Sequence, residues 1–200
     1  MLRHVLRSTV CILISCGVLQ SFPVRAGQDG NTVRGGAQSG GADTRRVALY
    51  DGAVSFVPPQ EFSRMSEEVV AAKFPEAKGP GIVYGNTRTT VSIAITYPPQ
   101  RGLRPEQLPD FKSFMESFIE KQKKGIEWLR KEFVEINGQR WIHFEFISQA
   151  VDTKIHNHMY LTSTDERVLM FNFNATSEEY DGYKDALERS KDSIRIEVKK

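Results

Sequence analysis

Cysteine is nearly absent from this 200-residue chain: Cys11 and Cys16 are the only two, and both lie in the first 16 residues. Nothing downstream can therefore form a disulfide framework or a thiolate metal site. Acidic residues are missing from the first 26 positions, which hold Arg3, Arg7 and Arg25. Without those three arginines the 27 basic residues become 24 against 25 acidic ones, and the formal charge of +2 becomes about −1. The basic excess belongs to the N-terminus, and no nucleic-acid partner follows from it. Catalytic signatures are lacking too. No Gly-x-Ser-x-Gly and no His-Glu-x-x-His occurs, and no Lys-Ser/Thr pair turns a Gly-rich stretch into a phosphate loop. What remains, 40% hydrophobic and 26% charged, suits one globular domain and excludes fibrous, collagen-like and wholly disordered chains.

The one long apolar run, Ser8 to Phe22, follows a basic start and precedes Val24-Arg25-Ala26. That order predicts a secretory signal peptide over residues 1–26. As a helix the run would reach roughly 22 Å, short of a hydrocarbon core of roughly 30 Å. Two cleavage schemes fit. Processing after Ala26 releases a periplasmic or secreted chain, whereas Leu13-Ile14-Ser15-Cys16 resembles a lipobox whose acylated Cys16 would leave a membrane-anchored lipoprotein. Residues 27–45 hold six glycines and few apolar side chains, too little burial to offset chain entropy, and predict a flexible linker.

A single domain is expected over residues 46–197, with a tail at 198–200. Arg46–Tyr50 and Ala53–Val57 flank Asp51-Gly52, a favoured hairpin turn. A helix from about Ser63 to Phe74 is expected to bury Met65, Val69 and Ala72. Ile82–Gly85 and Thr90–Tyr97 form a second hairpin. A helix from Pro109 carries Phe111, Phe114, Met115, Phe118 and Ile119 on one stripe. Glu127–Ile136 and Arg140–Val151 pair across Asn137-Gly138, and Lys154–Ser163 and Arg167–Ala175 follow. A last helix starts at Thr176, with Glu179 completing a capping box and Tyr180, Tyr183 and Leu187 facing inward. The order ββαββαββββα is that of an α+β fold, an antiparallel sheet flanked by helices in an α/β/α sandwich.

Chemistry is confined to a few side chains. His156 and His158 are two apart on a strand, so both imidazoles share a face about 7 Å apart and would bind a metal if a third ligand arrived. A turn centred on Asp152-Thr153 would set them opposite Gln149 and Ile147, with His143 farther along the sheet. Across Asn137-Gly138, His143 faces Glu132 and Glu145 faces Arg130, as charge pairs on a partly exposed sheet face. An acid–base dyad of His143 and Glu145 would require a pocket, and a pocket leaves no mark on the sequence. Lys121, Lys123, Lys124, Arg130 and Lys131, interspersed with acids, read as a solvated face.

Three segments carry a resemblance: Val54-Ser55-Phe56-Val57-Pro58, Ile136-Asn137-Gly138-Gln139-Arg140-Trp141, and Tyr180…Ser190…Ser193-Ile194-Arg195-Ile196. With the element order, they make residues 46–197 similar to the PsbP-like superfamily. That superfamily includes a photosystem oxygen-evolving subunit, a Ran-binding nuclear import factor and DcrB-type periplasmic lipoproteins. The resemblance implies a binding or assembly factor without a shared active site, and no functional residue transfers, because the matching positions are framework. The expected function is an exported, non-enzymatic interaction module of the bacterial cell envelope that binds a protein partner. It would need no cofactor and meet the membrane only through a lipid anchor. A metal- or ligand-binding domain using the strand histidines, or a cryptic enzyme, is the alternative.

Overall fold

The structure is a computed structural model that describes residues 45–74, 80–122, 125–150 and 152–197. The expected signal peptide, Cys16, the linker up to residue 44 and the tail lie outside the described residues. Strands β1 (Val47–Leu49) and β2 (Val54–Phe56) form the opening hairpin. Next come β3 (Ser63–Arg64), α1 (Glu67–Lys73), β4 (Ile82–Gly85), β5 (Val91–Thr96) and α2 (Leu108–Gln122). The second half is β6 (Glu127–Ile136), β7 (Gln139–Gln149), β8 (Lys154–Thr164), β9 (Arg167–Thr176), α3 (Ser177–Asp192) and β10 (Arg195–Ile196). Every expected element is there, and the short strands β3 and β10 are additions to the expected order.

All pairings are antiparallel. One sheet runs β3-β4-β5-β9-β8-β7-β6, and a small sheet runs β1-β2-β10. Turn chemistry sets the central registers. Asn137 and Gly138, with φ of 49° and 78°, make the left-handed two-residue turn that aligns Ile136 with Gln139. Strand alternation then sorts side chains between two faces. On one face Ile142, Phe144, Phe146, Met159, Leu161, Val168 and Met170 pack under α2, which contributes Leu108, Phe111, Met115 and Ile119. Met65 and Val70 of the α1 region cover Val83 and Ala94. On the opposite face Trp141, Leu169, Phe171, Phe173, Ile93 and Ile95 pack against the small sheet and α3. Each large side chain buried this way contributes about 1.5–3 kcal/mol.

Three local expectations are corrected. The helix expected from Ser63 begins at Glu67, capped by Ser66, because Ser63 and Arg64 pair instead with Gly85 and Tyr84 of β4. Val69 and Ala72, expected to be buried, are exposed, Val69 by 38%, while Val70 packs inward. The Thr176 side chain makes no cap hydrogen bond, and Glu179 pairs with Arg88 at 2.6 Å rather than closing a capping box.

Helix α3 is tied down at both ends. Arg88 holds its first turn through Glu179. At the other end the Asn137 amide donates to the Asp192 and Ile194 carbonyls, Ser193 Oγ accepts from the Val57 N–H at 2.7 Å, and β10 joins β2. Between these anchors α3 packs on β9, β8 and β5 and overhangs a cleft lined by residues of β6 to β9, where the sheet face turns from apolar to polar.

Candidate functional site

Two adjacent cross-strand rows build this polar patch. One runs Glu132–His143–Tyr160–Phe171 and the next Arg130–Glu145–His158–Phe173, each residue directly opposite the last. The register shift between Trp128 and Arg130 leaves Leu129 as an extra residue, 43% exposed. That β-bulge reverses the alternation. Trp128 consequently turns to the α2 face, against Phe144 and Phe146, while Arg130 turns to the α3 face. Tyr180, Lys184, Leu187, Glu188 and Lys191 descend from α3 and close a cleft of about 340 Å³.

Inside the cleft the rings form a continuous array. His143 stacks on Tyr160 with centroids 4.4 Å apart and planes 2° apart. His143 Nε2 lies 3.4 Å from His158 Nδ1, and His158 Nε2 lies 2.9 Å from the Tyr180 hydroxyl. Glu132 reaches His143 Nδ1 at 3.5 Å, and Glu145 Oε1 reaches His158 Nε2 at 3.7 Å. Glu145 Oε2 is held by Arg130 Nε at 3.1 Å. One donor atom from each of His143, Glu145 and His158 lies within 4.8 Å of the other two.

Burial dominates the electrostatics. It pushes the His158 imidazole down to about 3, with the neighbouring His143, His156 and Arg130 acting the same way. His143 is also lowered by burial, against the opposing pull of Glu132 and Glu145. Burial raises the Tyr160 and Tyr180 phenols. At neutral pH the cleft thus offers two neutral imidazoles and two phenols, with the Glu145 side chain beside them. One consistent arrangement sends every donor the same way: Tyr180 O–H to His158 Nε2, His158 Nδ1–H to His143 Nε2, and His143 Nδ1–H to Glu132.

The sequence places these residues on one face and misjudges two things. His143 faces Glu132 and Glu145 faces Arg130, as expected, yet only Glu132 and Arg130 are exposed, whereas His143 is 4% and Glu145 8% exposed. The cause is α3, whose position depends on tertiary anchors no local pattern reveals. The β7–β8 register also differs. Gln149 pairs with Lys154, and the Ala150 N–H donates to the Thr153 carbonyl at 2.8 Å. His156 and His158 therefore face Ile147 and Glu145, not Gln149 and Ile147. A two-residue slip preserves the face but changes the partner. Of the pair expected to hold a metal, His158 enters the cluster and His156 stays outside it, stacked on Tyr180 at 4.0 Å. Arg130 and Lys131 are not one solvated patch either. Arg130 serves the cleft, and Lys131 pairs with Glu116 on α2.

No protein-family model and no curated protein matches the chain by sequence. Solved structures do resemble it in shape. Cyanobacterial PsbP (CyanoP) from Synechocystis sp. PCC 6803 superposes with a TM-score of 0.55 at 14% identity, covering 80% of this chain and 98% of its own. LpqN of Mycobacterium tuberculosis, described as involved in cell envelope biogenesis, gives 0.54 at 13% identity over 76% of this chain and 88% of its own. A Bacteroides thetaiotaomicron protein gives 0.54 at 11% identity over 76% of this chain and 48% of its own. At such identities the likeness speaks for the fold, and the fold is PsbP-like.

Proposed function

We propose that the chain is an exported, non-enzymatic binding module of the bacterial cell envelope, and that a protein partner docks at the cleft beneath α3. The cleft carries this reading. It is a concave site of about 340 Å³ with a buried polar floor and a rim of both charge signs from Arg130, Lys184, Asp185, Glu188 and Lys191. The basic, apolar and small-residue order of positions 1–26 supports export, and the envelope role described for LpqN fits the same setting. No helix among the described residues is long and apolar enough to cross a membrane. Release after Ala26 or acylation of Cys16 would present the same domain, and the intact mass of the mature chain distinguishes them.

The test is comparative capture from envelope extract. Arg130→Ala with Lys184→Ala is expected to lower recovery of the bound partner at least about tenfold, as loss of charged rim contacts does. Lys121→Ala on α2 should leave it unchanged. Equal recovery by all three proteins, or turnover of a substrate by the wild type, would contradict the proposal.

A further inference from the structure

The facing nitrogens of His143 and His158 present a chemical problem. His143 Nε2 and His158 Nδ1 face each other 3.4 Å apart, and two such lone pairs repel unless a proton or a cation lies between them. A tetrahedral Zn²⁺ with Zn–N bonds of about 2.0–2.1 Å sets its two nitrogen ligands about 3.3 Å apart. The observed gap is that of such a pair, and Glu145 adds an oxygen donor within the same 4.8 Å group.

We propose that His143, Glu145 and His158 form a three-ligand site for a borderline divalent cation such as Zn²⁺, with a fourth position open to the cleft. The proposal rests on the reading of the cleft as the binding site and names one of its ligands. The outer contacts suit it. Glu132 lies against His143 Nδ1, which keeps the proton there and turns Nε2 toward the cation. The Tyr180 oxygen can take an N–H from His158 Nε2, freeing Nδ1. Arg130 holds Glu145 Oε2 and leaves Oε1 for the metal. Binding shifts the shared proton from His158 Nδ1 to Nε2 and breaks no covalent bond apart from that N–H, so no redox partner is needed. Two nitrogen donors disfavour Ca²⁺ and Mg²⁺, which take oxygen shells. The three ligands leave a cavity beside the cation, where water or a donor from a docked protein completes the shell.

The chelator-treated chain is titrated with ZnCl₂, following calorimetry and thermal unfolding. The expectation is one equivalent bound at the cleft and a midpoint raised by roughly 5–10 °C at a hundredfold excess over Kd. His143→Gln and His158→Gln should each weaken that binding at least about tenfold, with Glu145→Gln weaker by about 10–100-fold, while His156→Ala leaves it within about twofold. His4, Cys11 and Cys16 are common to all these proteins, so differences between them report the cleft alone. Circular dichroism of the metal-free variants establishes that they fold. Wild-type protein without saturable Zn²⁺ binding overturns the site whatever the variants do, and so does binding retained by the His143→Gln/His158→Gln double variant. If Zn²⁺ fails while Arg130→Ala with Lys184→Ala still loses its partner, the metal site falls and the docking reading stands.

Discussion

His158 is the residue on which the cleft's chemistry turns. Burial holds it at about 3, and His143 and His156 are lowered in the same direction. The unfolded chain takes up these protons near the ordinary value of 6.5, so between about pH 6.5 and 3 it binds more protons than the folded chain. Stability from these groups is complete above that window and declines as pH falls through it, by up to about 1.4 kcal/mol per pH unit for each fully neutral histidine. Urea unfolding at about pH 7 and about pH 5 measures the decline. His158→Gln is expected to flatten it by about 2 kcal/mol over the interval, and an unchanged slope would remove His158 from the account. Alternation alone brings His143, Glu145, His156 and His158 to one face, and the Asn137-Gly138 turn makes the His143–Glu132 and Glu145–Arg130 pairings readable from sequence. The opposition of His158 to Glu145 is not readable in the same way, because the loop at Ala150–Thr153 lacks the Asn-Gly or Asp-Gly signal that fixes a register.

At the scale of elements, local patterns describe helices and hairpins well where a face or a turn residue dictates them. The α2 stripe and the long β6–β9 meander are of this kind. They fail where an element is defined by what it meets. Strand β3 exists because β4 offers it an edge, and it shortens α1 from the front. Gly85, where that edge passes close to Met65, shows how tight the contact is. A Cβ there would lie 2.8 Å from the Val91 carbonyl oxygen and 2.2 Å from the Met65 side chain. The side chain can move aside and the backbone cannot, so Gly85→Ala is expected to destabilise the fold by about 1–3 kcal/mol. Chemical denaturation reads this directly, and a neutral result would mean that β4 and β5 yield more readily than their pairing implies. The bulge at Leu129 is another such feature. No composition signal marks it, yet it sends Trp128 to the core and Arg130 to Glu145.

For the molecule as a whole, a helix-flanked antiparallel sheet was legible because so many strands end in recognisable turns, and its PsbP-like form is shared with CyanoP and LpqN. The expectation of charge pairs on a partly exposed sheet face holds for Arg130 and Glu132 and fails for their partners Glu145 and His143, which are buried. Helix α3, clamped by Arg88, Asn137 and β10, roofs over two rows of the sheet and turns ordinary cross-strand pairs into a buried cluster. One face of the sheet is thus filled by α2 and closed, while the other keeps a gap under α3. A photoreactive amino acid placed at Lys184, at the mouth of that gap, or at Lys121 on α2 compares the two faces in living cells. A discrete cross-linked partner at position 184, and none at 121, is the outcome the account requires; the same adduct at 121, with none at 184, would contradict it.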